Sequence, residues 1–556
     1  MNKNAALDNN FQFKKTTGIM PEKIVIIGAQ AAGLAAARAA RRANAKAEIT
    51  LIDSASHAGV AACGLPHYIS GKYQLKDIAS LDPASLFEKS RIKIFTRTKV
   101  IDAHVSKRRL TVKKVPLNDL SGETMDLSWD SLIITAGSVP FIPGHYAQAA
   151  QCPNFFVLKN LDHAHKLRHQ ADLAKNADPA KEIVILGAGY IGLSLAEIFK
   201  NRGSKVTVIE SSSTIAGLDI KSAAAQVLAE KIIDSGVNLI LNEKNSRPII
   251  RRISDSELLG AHFSEQLITG VETSSGLIPC STFICAAGVV PAPEPAQIFG
   301  LETGIKGAIK TDQYCQTSVD SIYAAGDCTE SKSIYTRRPV LFQLAVNAVP
   351  CGKIAGYNAA VSVIAPKKAY PGTMLTTNSY FFGLEIASAG LSTMHDLVNH
   401  MKDRAGRLPE STVFDPSKYA LHSETLPLKP FLDSRPDNHT ITVSIVFHKK
   451  TGRIAGASFI APHSACLRAD LLAALMSGKT PLENTSYHTS SPVSGLTLED
   501  LADIETGYTP SVRPFNDPLS ITARAAALAL ENSGVARDTA LNHPDTDSFL
   551  SLSRLN

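Results

Sequence analysis

Two glycine-rich turns carry chemistry that can be read from residue type and spacing. Gly187-Ala188-Gly189-Tyr190-Ile191-Gly192 follows an apolar run, Glu182-Ile183-Val184-Ile185-Leu186, and opens a helical stretch. A pyrophosphate needs a tight turn, a backbone that lets the anion come close, and helix N–H groups aimed at it. About twenty residues on, Val206-Thr207-Val208-Ile209 ends in Glu210, where a carboxylate can grip a ribose diol. The same charge repels a 2′-phosphate, which favours NADH over NADPH. Gly28-Ala29-Gln30-Ala31-Ala32-Gly33 repeats the arrangement after Lys23-Ile24-Val25-Ile26-Ile27, with Asp53 closing the next strand. Gln30 stands where the middle glycine usually sits. A turn of this kind can also be mere close packing; the strand before, the helix after and the acid beyond favour nucleotides.

Three more strand ends break into turns: Ile134-Thr135-Ala136-Gly137, Cys285-Ala286-Ala287-Gly288 and Ile322-Tyr323-Ala324-Ala325-Gly326-Asp327. The carboxylate of Asp327 can accept hydrogen bonds from a flavin ribityl hydroxyl, while the following helix N-terminus faces phosphate. Cys63, in Ala61-Ala62-Cys63-Gly64-Leu65-Pro66-His67-Tyr68, follows Asp53 by ten residues. It belongs at the carboxyl edge of the first sheet and the start of a helix. There the helix dipole and a nearby flavin would both stabilise a thiolate, the nucleophilic form. An inert buried cysteine is the plain alternative, and the placement argues against it.

The elements that must position these residues are short apolar strands alternating with alanine-rich helices, an α/β pattern with parallel sheets. Two copies of one strand–helix–strand unit imply two nucleotide sites. Beyond Pro371-Gly372 the character changes. Residues 440–447 alternate, and Lys450-Thr451-Gly452-Arg453 reads as a hairpin, so an antiparallel α+β domain should run to about residue 525. Residues 400–420 and 478–494 read as surface loops, and the last thirty as a polar periphery.

Composition bounds the rest. A chain of 556 residues, 44% apolar and 19% charged, holds two to four compact units. A net charge of +6 with a single Trp and no Lys/Arg tract does not suggest nucleic acid. The eight cysteines include no zinc-type pair, so neither a metal site nor a secreted disulfide framework is expected. The first twenty residues are polar, and no run of eighteen apolar residues offers a membrane span. The expected location is the cytoplasm.

In this order, residues 28–33, Cys63-Gly64-Leu65-Pro66, Ala136-Gly137, residues 187–192, Gly288, Gly326-Asp327, Leu344-Ala345, Gly352-Lys353-Ile354-Ala355-Gly356, Leu498-Glu499-Asp500-Leu501 and Tyr508-Thr509-Pro510 resemble the pyridine nucleotide-disulfide oxidoreductases. The likeness spans residues 22–525 and is greatest to their single-cysteine branch of coenzyme A-disulfide reductases, NADH oxidases, NADH peroxidases and persulfide reductases. It implies two Rossmann-like dinucleotide-binding domains plus a C-terminal α+β dimerisation domain. FAD would bind residues 21–150 with 292–366, NAD(H) residues 151–291, and the dimerisation domain would be 367–525. Residues 1–20 would form a polar extension and 526–556 a tail. A homodimer is implied, each active site completed by the partner subunit.

The implied activity is FAD-dependent, NAD(P)H-driven reduction of a small-molecule disulfide or persulfide, of coenzyme A type, through Cys63. Alternatives are an NADH oxidase working through a cysteine sulfenic acid, and a flavoprotein reductase feeding a small redox protein. Tyr68 stands where two-cysteine relatives carry their second cysteine. Ala31 replaces the histidine typical of the peroxidases and oxidases, which favours the disulfide-reductase subgroup. Arg41-Arg42, with Arg38, match helix arginines that could receive coenzyme A phosphates, a solvated helix face being the alternative. Tyr190 is a candidate gate over the flavin, Tyr508 a candidate proton donor and His67 a lesser candidate acid. The chain departs from the subgroup at Gly59-Val60-Ala61-Ala62, at Ser194, at Ser434-Arg435-Pro436 and in the loop 478–495. These departures touch substrate identity rather than the nucleotide sites.

Overall fold

The computed structural model of the chain describes residues 20–79, 83–115, 122–176, 182–219, 222–253, 265–334, 338–393, 416–428, 439–478, 495–505 and 517–533. Lys23–Ile27 is the centre of a five-stranded parallel sheet, flanked by Glu48–Ile52 then Ile92–Phe95 on one side and by Ser131–Ile134 then Ile322–Ala324 on the other. Glu182–Leu186 centres a second sheet of the same plan, between Lys205–Ile209 then Asn238–Ile240 and Thr282–Cys285 then Phe155–Val157. Parallel sheets lie under helices on both faces, so their central strands are apolar without alternation. Ile24, Ile26, Ile183, Val184 and Ile185 are all buried accordingly.

The duplication extends further than the glycine turns reveal. Each unit carries a three-stranded antiparallel sheet just before the strand that returns to its parallel sheet. These are Thr98–His104, Arg109–Lys114 and Thr124–Ser128 in the first unit, and Arg247–Ile253, Glu265–Thr273 and Gly276–Pro279 in the second. A two-stranded ribbon of Ser138–Pro140 and Val289–Pro291 joins the units immediately after their Gly137 and Gly288 turns.

The C-terminal region forms a five-stranded antiparallel sheet in the order Thr377–Phe381, Leu384–Gly390, Ile454–Ala461, Thr440–His448, Tyr419–Pro427. The hairpin lies where residues 450–453 put it, with Gly452 at φ +63°. The alternation does not leave one face in water, because both faces are covered. Ala387 and Phe459 pack with Leu472 and Ala523 on one side, whereas Ile386 and Ile460 pack with Phe199 and Leu228 of the second nucleotide unit on the other. Hydroxyls lie in one row, buried at its middle: Ser423 faces Ser444, which faces Ser458, which faces Ser388, which faces Thr377. Ser423 Oγ donates to Ser444 Oγ at 2.8 Å, and the Thr377 and Ser388 hydroxyls are also 2.8 Å apart.

Two expectations are corrected here. Residues 400–420 are not all loop, since the edge strand Tyr419–Pro427 begins inside them. The tail read from residue 526 begins too early, since the helix Pro518–Asn532 runs through it and buries Ala526 and Leu530. That helix is pinned by a two-pronged ion pair, Arg468 Nε to Asp517 Oδ1 at 3.1 Å and Arg468 Nη2 to Asp517 Oδ2 at 2.9 Å. Among the described residues no helix is long and apolar enough to cross a membrane.

Two helices fix the geometry around the first glycine turn. Ala31–Ala43 lies against Ala345–Ala360 with backbone meeting backbone. A Cβ on Gly352 would strike the carbonyl oxygen of Ala32, and one on Gly356 that of Ala36. The small residues in both helices are what allow this approach. Replacing Gly356 by Ala should therefore force the helices apart and cost roughly 1–3 kcal/mol of stability, read as an earlier urea midpoint. An unchanged midpoint would mean that the contact carries no packing constraint.

Candidate active site

Both glycine turns are built by one steric solution. Gly28 has φ +104° and Gly187 φ +110°, values that L side chains rarely adopt. A Cβ on Gly28 would collide with Thr135 O, and one on Gly187 with Ala286 O. Gly33 and Gly192 each pass so close to the first glycine's carbonyl that no side chain fits. The acids close the turns from the neighbouring strand: Asp53 Oδ2 accepts from Ala29 N at 2.7 Å, and Glu210 Oε2 from Ala188 N at 2.9 Å. Glu210 Oε1 also accepts from Ser212 N and Ser212 Oγ, each at 2.8 Å. In each turn the helix starts at the fourth residue, after Gln30 and after Gly189, so its first N–H groups face the turn. Ala31 and Ile191 are exposed there and Tyr190 is half-buried.

The third strand end joins the first turn. Gly326, at φ +83°, sits so that a Cβ would lie 3.0 Å from Ala32 Cβ. Asp327 Oδ2 accepts from Ser138 Oγ at 2.9 Å and lies 3.5 Å from Lys159 Nζ, which itself donates to Ser138 Oγ at 2.6 Å. Gln343 Nε2 donates to the Asp327 carbonyl at 3.1 Å, just before Leu344 caps the long helix that opens with Ala345. Turn 28–33, Ala136-Gly137, Gly326-Asp327 and Leu344-Ala345 therefore converge. This cradle, bare of side chains at Gly28 and Gly33 and acidic at Asp53 and Asp327, fits a flavin dinucleotide. Turn 187–192 with Glu210 and Gly288 fits the nicotinamide dinucleotide.

Of the eight cysteines Cys63 is exposed, Cys466 is intermediate and the other six are buried. Burial pushes Cys280 up to about 12 and Cys328, Cys351 and Cys466 up to about 11, and it also raises Cys152, Cys285 and Cys315. Those seven thiols stay protonated at neutral pH and are poor nucleophiles. Cys63 lies in the short turn Ala62–Gly64 that leads directly into the helix Leu65–Ser70. One side of this segment is fixed by Ala61 N donating to Ile78 O at 2.7 Å, with Gly64 pressed on Ile78. The other side meets the first glycine turn, where Gly59 N donates to Ala29 O at 2.8 Å. Val60 is bonded to Gln30, and three residues of extended chain span at most ~11 Å, which bounds the distance of Cys63 from the first glycine turn.

The helix after the cysteine is held by Tyr68, whose hydroxyl lies 2.9 Å from His165 Nδ1 and whose ring is covered by Arg168 at 4.5 Å. His67 is exposed, its ring edge-on to Tyr73 at 5.5 Å. Near it, burial pushes the Glu197 carboxyl upward, while the N–H of Phe382, Lys72 and His67 draw it down.

The arginine expectation divides. Arg41 is corrected: its guanidinium donates to the carbonyls of Asn44, Ala45, Ala47, Ser90 and Arg91, so it clamps the helix end rather than awaiting a phosphate. Arg38 and Arg42 are exposed one turn apart on the same helix. Tyr508 lies outside the described residues, as do Ser434-Arg435-Pro436 and residues 479–494. No residue pattern points to Lys159, Ser138 or Thr377, because each meets its partner from another segment of the chain. Thr377 Oγ1 accepts from the Tyr190 hydroxyl at 3.1 Å, tying the second glycine turn to the C-terminal sheet. A lone lysine or threonine outside any motif offers no signal that could have found it.

Comparison with known proteins agrees with this geometry. The NAD(P)H coenzyme A polysulfide/persulfide reductase of Pyrococcus horikoshii is 26% identical over 507 residues, covering 91% of this chain and 98% of that protein. An NADH oxidase of Enterococcus faecalis is 26% identical over 513 residues, covering 92% and 100%. The crystal structure of an NAD-dependent persulfide reductase from A. fulgidus superposes with a TM-score of 0.75 at 23% identity, over 92% of this chain and 84% of that one. Residues 22–352, more than half of the chain, match the family model described as pyridine nucleotide-disulphide oxidoreductase, and the chain belongs to that family.

Proposed function

We propose that this chain is an FAD-dependent reductase that uses NAD(P)H to cleave a small-molecule disulfide or persulfide, of coenzyme A type, at Cys63. The observation that carries the reading is one exposed thiol three residues beyond Val60, which is bonded to the first glycine turn, against seven thiols held protonated by burial. The coenzyme A preference draws support from the relative in Pyrococcus horikoshii.

Turn 28–33 and the start of its helix would hold the flavin pyrophosphate, Asp53 would serve the ribose and Asp327 the ribityl chain, and Leu344-Ala345 would complete the cradle. Turn 187–192, Gly288 and Glu210 would hold NADH in the same manner, Tyr190 shielding the nicotinamide site. Bound flavin supplies the conversion of a hydride from the nicotinamide into two electrons deliverable to sulfur. The Cys63 thiolate attacks the substrate's S–S bond, so that a mixed disulfide forms and one thiolate leaves. The partner subunit's Tyr508 protonates that leaving group in the proposed homodimer, with His67 of the cysteine helix in reserve. Two electrons and a proton then break the mixed disulfide, freeing the second thiol and restoring the Cys63 thiolate. The cytoplasm, where thiols stay reduced, is the matching location. Arg38 and Arg42 are the remaining candidates for substrate phosphates.

A second reading, reduction of oxygen or peroxide through a Cys63 sulfenic acid, draws on the NADH oxidase relative and on the exposure of the thiol. Ala31 in place of a histidine speaks against it. Anaerobic turnover of coenzyme A disulfide set against oxygen uptake separates the two.

Exchanging Cys63 for Ser should leave a yellow, flavin-bearing protein whose disulfide turnover drops by ~10³ or more; undiminished turnover refutes the proposal. Iodoacetamide at pH 8 should label the native NADH-reduced protein once, at Cys63, and the unfolded chain at all eight cysteines. Labelling spread over several native sites would contradict the burial argument. Glu210→Gln keeps an acceptor for Ala188 N without the charge, so kcat/KM for NADPH relative to NADH should rise about tenfold. A constant ratio would remove Glu210 from cofactor selection.

A further inference from the structure

Gln30 caps the helix Ala31–Ala43 by position, yet its side chain makes no capping bond. The amide instead reaches sideways. Nε2 donates to Asp53 Oδ2 at 3.1 Å and to the carbonyl of His57 at 3.0 Å, while Oε1 accepts from Val60 N at 2.9 Å. One primary amide thus spans the acid that closes the glycine turn and both ends of the segment 57–60, three residues ahead of Cys63. The equivalent position of the second turn is Gly189, which has no side chain and leads to no cysteine. The amide suits the task because it carries donors and an acceptor together. A carboxylate would face Asp53 with like charge, and an apolar side chain would leave Val60 N and His57 O to find other partners.

We propose that Gln30 is a positioning residue for Cys63, coupling the placement of the sulfur to the glycine turn that holds the flavin. The inference rests on the reading of Cys63 as the reacting thiol. It assigns to the residue in place of the middle glycine a role in sulfur chemistry rather than in pyrophosphate contact. Electron delivery to sulfur depends on the cysteine's place relative to the cradle, whereas NADH is held by the other turn. Loss of the amide should therefore separate the two half-reactions.

The test compares wild type, Gln30→Ala, Gln30→Met and Cys63→Ser as full-length holoenzymes. In anaerobic stopped flow, flavin reduction by NADH and reoxidation by coenzyme A disulfide are timed separately in each variant. Reoxidation should slow about tenfold more than flavin reduction in both Gln30 variants. Hydrogen exchange of the peptide holding Val60 should accelerate in the same variants, a readout that needs neither turnover nor bound flavin and so serves even a variant that loses its cofactor. Unchanged exchange at Val60, or equal slowing of both half-reactions, would overturn the proposal. Cys63→Ser keeps the outcomes apart: if it still turns over disulfide, the cysteine reading has failed. If it is inactive while Gln30→Ala reoxidises at the wild-type rate, only the role of Gln30 is lost.

Discussion

Backbone contact between the helices Ala31–Ala43 and Ala345–Ala360 governs the flavin half of the molecule. The first helix begins in the glycine turn 28–33, and the second begins at Leu344-Ala345 beside Asp327. Because Gly352 and Gly356 meet Ala32 and Ala36 without intervening side chains, the two helix starts have little freedom to move apart. Close-packed interiors transmit displacement rather than absorb it. The first glycine turn, Asp327 and a helix start, far apart in sequence, are thereby delivered to one cradle.

The two nucleotide units use the same frame for different ends. Both employ a left-handed first glycine, a crowded third glycine and an acid that accepts from the turn's own N–H. They differ in what lies next to the acid. After Glu210 come Ser211 and Ser212, whose polar groups fix the carboxylate. After Asp53 the chain continues through residues 57–60 to the cysteine, bound along the way to Gln30 and Ala29. The chemistry thus sits in the connection and the scaffold is shared, the usual division of labour between loops and framework.

Much of this was legible in the residues. The apolar runs before Gly28 and Gly187, the acids at 53 and 210 and the strand ends at Gly137, Gly288 and Asp327 are local patterns, readable from neighbours in the chain. The antiparallel triplets were not legible, because strands such as Thr124–Ser128 are short and mostly exposed and lack an apolar period. The helix through residue 526 was missed because its buried positions, Ala523, Ala526 and Leu530, are mostly alanine and merge into a small-residue tract. Arg41 was misjudged because two adjacent arginines look alike in sequence, while on a helix about 100° separates them. Arg41 turned to five carbonyls of the chain, whereas Arg42 stays exposed with one bond, to the carbonyl of Arg38. Lys159 and Thr377 matter through contacts between sheets, which no local pattern encodes.

The row of hydroxyls from Ser423 to Thr377 has a consequence for how insertions are tolerated. A sheet covered on both faces lacks the in–out alternation that normally forbids a slip of pairing. Here the paired serines and threonines act as alignment marks, and the last of them holds the phenol of Tyr190. A slip of one residue would shift a strand by ~3.4 Å and place an apolar side chain opposite a hydroxyl. The long connections between strands can therefore lengthen or shorten over generations while the aromatic ring at the nicotinamide turn keeps its place.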